Sequence, residues 1–284
     1  MAAKFKKPII QIESVGVNKI ATVRIETGRR IMRIVLLVQA TGQVLNEIVE
    51  YVEIVVGGKV QRRFSPDELE AEMGIVATGG ASTYKAQNNT AGSEIHWPIW
   101  FREPWRKGFR AGRALAWATG DVADDEFVVR VKMLSTAHAS VNLRAAVEYD
   151  NPVDGSGNAL PMGQIVKMYQ EDIAVTGVKA KFHIPRDRGD LLSFSLHDTD
   201  IDKATLVVSD IPVREVEEAE AQSDLTGDEM TPNNSVFHVA LDNDDDTDSA
   251  IPLQGKKNAY LLLELADGTP RNIRGLFQFI GPRD

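Results

Sequence analysis

Residues 54–74 read "IVVGGKVQRRFSPDELEAEMG". Three β-branched apolar residues run into a Gly-Gly pair, a second short strand follows, and a helix start comes next. Gly57-Gly58 is a two-residue hairpin signal, because glycine tolerates the positive φ that such turns need. Ser65 stands as N-cap, Pro66 at the first helical position, Glu68 three residues past the cap and Gly74 after the end, which predicts a short capped helix within 65–74. Further along, "LVVSDIPVREVEEAEAQSDLTG", residues 206–227, repeats the order: apolar run, turn pair, short strand, acidic helical run, glycine. Its helix is expected over 213–225.

A second pair supports duplication. "VNLRAAVEYDNP" closes the first half and "RNIRGLFQFIGP" the second, so that Asn142, Leu143, Arg144, Val147, Tyr149 and Pro152 align with Asn272, Ile273, Arg274, Phe277, Phe279 and Pro282. Single short matches between amphipathic strands arise by chance. Two in the same order, at the same relative place in each half, argue for a repeat.

The remaining periodicity is that of strands. "IATVRIE" (20–26), "IMRIVLLVQA" (31–40), "IVEYVEIVV" (48–56), "EFVVRVKML" (126–134) and "VNLRAAVEY" (141–149) are rich in β-branched residues. Phe127, Val129 and Val131 fall on one face and Val128, Arg130 and Lys132 on the other, as in a sheet buried on one side. Strands resume at 173–184, 190–198, 204–210, 235–242, 258–267 and 273–281. The stretch "NPVDGSGNALPMG" (151–163) between the halves has turn composition and no apolar period, so it reads as a linker. The expectation is an all-β chain of two tandem units, each of about eight antiparallel strands with a short helix after the third or fourth, the size of a jelly roll. The boundaries are an N-terminal arm (1–13), a first unit (14–150), the linker (151–163) and a second unit (164–284).

Composition bounds the function. There are no cysteines, which excludes disulfides, thiolate metal sites and a cysteine nucleophile. No apolar run approaches the ~20 residues of a membrane span, and the start is too short for a secretory leader, so synthesis is expected to end in the cytoplasm. The net charge of −9 is split unevenly: residues 1–150 hold 20 Lys+Arg against 17 Asp+Glu, and residues 151–284 hold 12 against 24. Opposite signs suggest contact between halves, within a chain or between chains.

Taken with "VEYVEIVVGGKVQRRFSPDELEAEMG" (49–74), "IHWPIWFREPWRKGFRAGRALAWATGDVADDEFVVRVKM" (95–133) is a strand with a "GGK" turn and "DEL" helix, then an aromatic strand, a basic loop and two more strands. In this layout the chain resembles the double jelly-roll major capsid proteins of membrane-containing icosahedral viruses, the corticovirus-type coat protein in particular. The resemblance implies two eight-stranded jelly rolls, a homotrimer forming a pseudo-hexagonal tile, and a shell of such tiles over an internal membrane. It implies a virion location, further contact with minor capsid proteins, no direct nucleic-acid binding, no enzymatic activity and no required cofactor. The acidic insertion around 217–234 and the weakly apolar N-terminus depart from the pattern.

Individual residues carry alternative readings. Trp97, Trp100, Trp105 and Trp117 cluster in sequence; Trp97 and Trp117 are expected in the core, Trp100 and Trp105 at a subunit interface. Arg102, Arg106, Arg110 and Arg113 surround Trp105 and Phe109. Basic-aromatic composition suits nucleic acid, but in an acidic protein an interface loop facing an acidic neighbour is the preferred reading. Asp242, Asp244, Asp246 and Asp248 alternate in "DNDDDTD"; the preferred reading is a solvated loop, with a weak calcium site second, because Thr247 and Leu253 break the EF-hand pattern. Lys4, Lys6 and Lys7 are membrane-proximal candidates, each contributing about 1 kcal/mol near an anionic surface. The rival functions are a carbohydrate-binding or glycoside-active β-sandwich and a viral spike or receptor-binding protein. A glycosidase would place two carboxylates about 5–10 Å apart beside exposed tryptophans.

Overall fold

The structure, a computed structural model, describes residues 5–9, 12–76, 84–105, 115–227, 230–241 and 249–284. It divides into two compact units: Met1–Gly74, Gly80–Val166 and Pro282–Asp284 form the first, Ile75–Gly79 and Lys167–Gly281 the second.

In chain order the first unit holds β1 (Phe5–Ile9), β2 (Ile12–Glu13), β3 (Ile20–Arg24), β4 (Arg30–Gln39), α1 (Leu45–Ile48), β5 (Val49–Val56), β6 (Lys59–Phe64), α2 (Pro66–Val76), β7 (Ile95–Trp100), β8 (Trp117–Ala118), β9 (Phe127–Met133) and β10 (Asn142–Asp150). One sheet runs β1-β10-β4-β7, with β8 against β4, and the facing strands run β6-β5-β9-β3-β2. The second set is β11 (Ile165–Val175), β12 (Lys179–His183), β13 (Asp190–His197), β14 (Ile201–Val208), β15 (Ile211–Glu217), α3 (Glu218–Gly227), β16 (Phe237–Ala240), β17 (Ala259–Leu265) and β18 (Arg271–Gly281). Its strands run β11-β18-β13-β16 and β15-β14-β17-β12.

Setting aside the short β2 and β8, both sets have one wiring. Ranked by sequence, one sheet is first-eighth-third-sixth and the other fifth-fourth-seventh-second. This is the jelly roll, stated twice. The helix follows the fifth strand in each, not the third or fourth, because an unanticipated first strand and a break in an anticipated single strand add to the count.

The quoted hairpins are equivalent in detail. Gly57 and Gly58 have φ of +60° and +79°; Ser209 and Asp210 take +51° and +64°. Both turns therefore have positive φ at both central residues, the geometry that matches strand twist. Ser and Asp adopt it less readily than glycine; Asp210 is fixed there by Lys257 Nζ (2.7 Å) and Asn258 Nδ2 (2.6 Å). Each hairpin also carries a bulge at the same rank: the pairing skips Gln61 between Val60 and Arg62, and Val213 between Pro212 and Arg214. Arg62 and Arg214 are thus counterparts.

Sandwich packing supplies each core. In the first unit Trp97 meets Phe64 edge-on at 6.1 Å, and Trp117, Phe101 and Phe127 form a closed ring cluster at 4.7–5.9 Å. In the second, Phe277 stacks on Phe182 at 5.1 Å and on Phe194 at 6.2 Å. The alternation expected of "FVVRVKM" holds through β9.

Four local expectations are corrected, and the linker read at 151–163 has a turn of its own. The first roll begins at Phe5, inside the segment read as an arm: β1 pairs along β10 from Phe5–Tyr149 to Ile9–Ala145. It is an edge strand exposed along most of its length, so it carries no buried periodicity. α2 has its capping box, with Ser65 N donating to Glu68 Oε2 (2.7 Å) and Glu68 N to Ser65 Oγ (3.4 Å), but it runs through Gly74 to Val76, since Ile75 and Val76 are buried. Residues 213–217 are strand and only 218–227 helix. The segment 173–184 breaks at Gly177 into two strands, the first of which starts back at Ile165. The linker is ordered: a Val153–Ala159 bridge closes it, and Asp154 Oδ1 accepts from Ser156 N (2.8 Å) and Asn158 N (2.9 Å).

Candidate assembly surfaces

Of the basic-aromatic stretch, Arg102 and Trp105 lie within the described residues; Arg106, Phe109, Arg110 and Arg113 lie outside them. β7 ends at Trp100, and the chain turns there at Phe101 and Arg102, both held by Met32 O. Trp105 is half-buried and meets the Tyr84 ring edge-on at 5.4 Å; Tyr84 meets Trp100 at 5.5 Å. The Arg33 guanidinium lies 4.7 Å from the Trp100 ring and donates Nε to Glu148 Oε2 at 2.7 Å; Arg102 lies over Trp100 at 5.4 Å. Trp100 is therefore a packed ring between cations, 6% exposed within its own chain, and Trp105 is the half-open end of the series. Trp97 and Trp117 are fully buried, as anticipated.

Beneath this patch lies a residue that sequence inspection passed over. Arg62 is 1% exposed, donates Nε to Val166 O (2.7 Å) and Nη1 to Trp100 O (2.5 Å), and lies 5.0 Å from the Trp117 ring. Burial pushes its pKa down to about 10, against the supporting charge of Glu103. Its counterpart Arg214 is more open and pairs with Asp224 (2.5 Å) and Glu220 (3.7 Å) on α3. The repeat in sequence could have flagged the pair; the unequal burial could not be read there.

Lys6 and Lys7 lie on β1, while Lys4 is outside the described residues. Lys7 Nζ sits 2.8 Å from Glu26 Oε2, and Arg29 Nη2 2.5 Å from Glu26 Oε1, so Lys7's charge is largely answered locally. Those two donors, Lys7 first, hold the Glu26 carboxyl below its ordinary value. Beside them a groove of about 410 Å³ is lined by Pro8, Arg24, Thr27 and Asp124 among others. The Phe5 ring stacks on Tyr149 at 5.7 Å, and Arg29 covers Tyr149 at 4.1 Å. Asp242, Asp244, Asp246 and Asp248 lie outside the described residues. Ser195 and His238 share a 2.7 Å hydrogen bond but are both buried within the second unit, where they join β13 to β16.

A family model described as viral coat protein P2 N-terminal domain matches residues 6–150. No curated protein matches. Among solved structures, the major capsid protein P2 of bacteriophage PM2 superposes with a TM-score of 0.78 at 11% identity, covering 99% of this chain and 98% of that one. The PBCV-1 virus capsid protein gives 0.70 at 11% identity, with 99% and 94% covered. The capsid protein of the Sulfolobus Turreted Icosahedral Virus gives 0.65 at 11% identity, with 98% and 97% covered. At such identity these likenesses speak for the fold.

Proposed function

The chain belongs to the viral coat protein P2 family, and on that premise we propose that three copies join into a pseudo-hexagonal tile and that such tiles form an icosahedral shell over an internal membrane. As a coat protein it is a self-assembling component of the virion capsid; the trimer, the membrane and any minor capsid proteins are the proposal's additions. The observation that supports the trimer is the duplicated wiring. One chain carries two sandwiches with the same strand order, so three chains supply six similar building blocks, and a closed ring of like contacts is the economical way to use them. The role is structural and requires no reaction and no cofactor. At the lipid side, Lys6 and Lys7 are the exposed cations of β1, Lys7 already paired with Glu26, and so weak a contribution would count only through many copies in a shell. Sedimentation equilibrium of the purified protein tests the reading: a mass three times the 31.3 kDa chain is expected, and a monomer at micromolar concentration contradicts it.

A further inference from the structure

The two fifth strands, β6 and β15, are duplicates down to the turn and the bulge, yet one is covered and the other open. At the bulge, Gln61 is 0% exposed and its counterpart Val213 is 45% exposed. Next to it Arg62 is buried while Arg214 faces solvent in part. Ile211, at the start of β15, is 63% exposed. An edge strand with Ile, Pro and Val turned outward is a surface awaiting a partner.

Within the first unit β6 is closed off: Gln61 Oε1 accepts from Asp284 N at 3.2 Å, and Arg62 holds the carbonyl of Val166. β15 has no such cover among the described residues, and β1 likewise ends its own sheet with a free outer edge among them.

We infer that β15 of one copy is covered by β1 of a second copy. The chemistry of the two edges agrees. β1 offers Phe5, 47% exposed, with exposed Lys6; β15 offers Ile211 and Val213, with exposed Glu217, while Lys7 and Glu215 are held by Glu26 and Lys203 of their own chain. Apolar groups meet apolar groups, and basic residues meet acidic ones, which sets register and speeds encounter. Each strand contains a proline, Pro8 or Pro212, which removes a ladder donor and keeps the edge from templating open-ended pairing. The contact is then made chiefly by side chains. It is heterologous: every copy gives one β1 and accepts at one β15, so the contact closes into a ring when the rotation permits. The inference rests on the capsid reading for the number of copies in that ring, and on the strand inventory for which edges meet.

The chain has no cysteine, so introduced thiols are unambiguous. Lys6→Cys with Val213→Cys in one chain, treated with a short bis-maleimide, should give covalent dimers and trimers on a denaturing gel. Either single variant alone should stay uncrosslinked, and a mixture of the two single variants should stop at dimers. Phe5→Cys with Ile211→Cys is the second pair should the first fail to fold by circular dichroism. Trimer mass without crosslinks in either pair overturns the inference and leaves the capsid reading standing. Crosslinking by a single variant alone overturns it too, since that contact would join like edges. Monomer mass overturns both.

Discussion

Replacing Arg62 with Met separates two effects that the fold sets against each other. The guanidinium is buried, and removing a buried charge relieves a desolvation cost; hydrophobic replacements of buried ions are often neutral or stabilising. Here the guanidinium also satisfies two backbone carbonyls, Val166 O at 2.7 Å and Trp100 O at 2.5 Å. Met leaves both orphaned, at about 1–3 kcal/mol each. It also removes the favourable charge interaction between Arg62 and Glu103, which is 3% exposed. Met fills most of the volume, so the cavity penalty is small. The orphaned acceptors should win, with a net loss of about 3 kcal/mol. All four tryptophans, Trp97, Trp100, Trp105 and Trp117, lie in the first unit, so tryptophan fluorescence in urea reports that unit's unfolding. With a slope of about 2 kcal/mol per molar, the midpoint should fall by about 1.5 M. Arg214→Met, at the equivalent place in the repeat, should leave that midpoint where it is. An unchanged or raised midpoint for Arg62→Met would show that desolvation outweighs the carbonyl bonds, and that the arginine is not a structural tie.

Gly189 has a φ of +123°, and a Cβ there would meet Ile280 O. Gly189→Ala should cost about 2 kcal/mol or more, read as a lowered melting temperature by circular dichroism. Glu26 has a folded pKa depressed below its ordinary 4.5, chiefly by Lys7. Its contribution is then fully present above 4.5 and is lost as pH falls through the lower folded value; amide protection of 5–9 should drop on acidification, and Glu26→Gln should abolish that pH response. Trp105→Ala should weaken the trimer by about 2 kcal/mol, roughly 30-fold, at any salt, whereas Arg102→Glu should slow association mainly at low salt, where screening is weak; dilution sedimentation distinguishes them.

The duplication was legible because turn and cap chemistry is local. Gly57-Gly58, the Ser65–Glu68 box and the paired final strands are each written in a few adjacent residues. The first strand was not, because "FKKPI" is an edge exposed along most of its length and shows no alternation. The end of α2 was misplaced because glycine is only a frequent terminator; Gly74 has no positive φ, and the burial of two apolar residues beyond it extends the helix. At 213–217 an acidic run looked helical, but Val213 and Val216 belong to a bulged strand, where the extra residue disrupts the period of two. Arg62 escaped for a different reason: arginine is ordinarily a surface residue, and its burial depends on carbonyls contributed by Trp100 and Val166, far along the chain.

Three chains, each with two like-wired sandwiches, should build a six-part tile. Class averages from negative-stain images of the purified protein address it directly. Particles with a hexagonal outline and threefold symmetry are expected, three chains presenting six similar lobes. Two-lobed single chains, or rings with any other number of lobes, would contradict it.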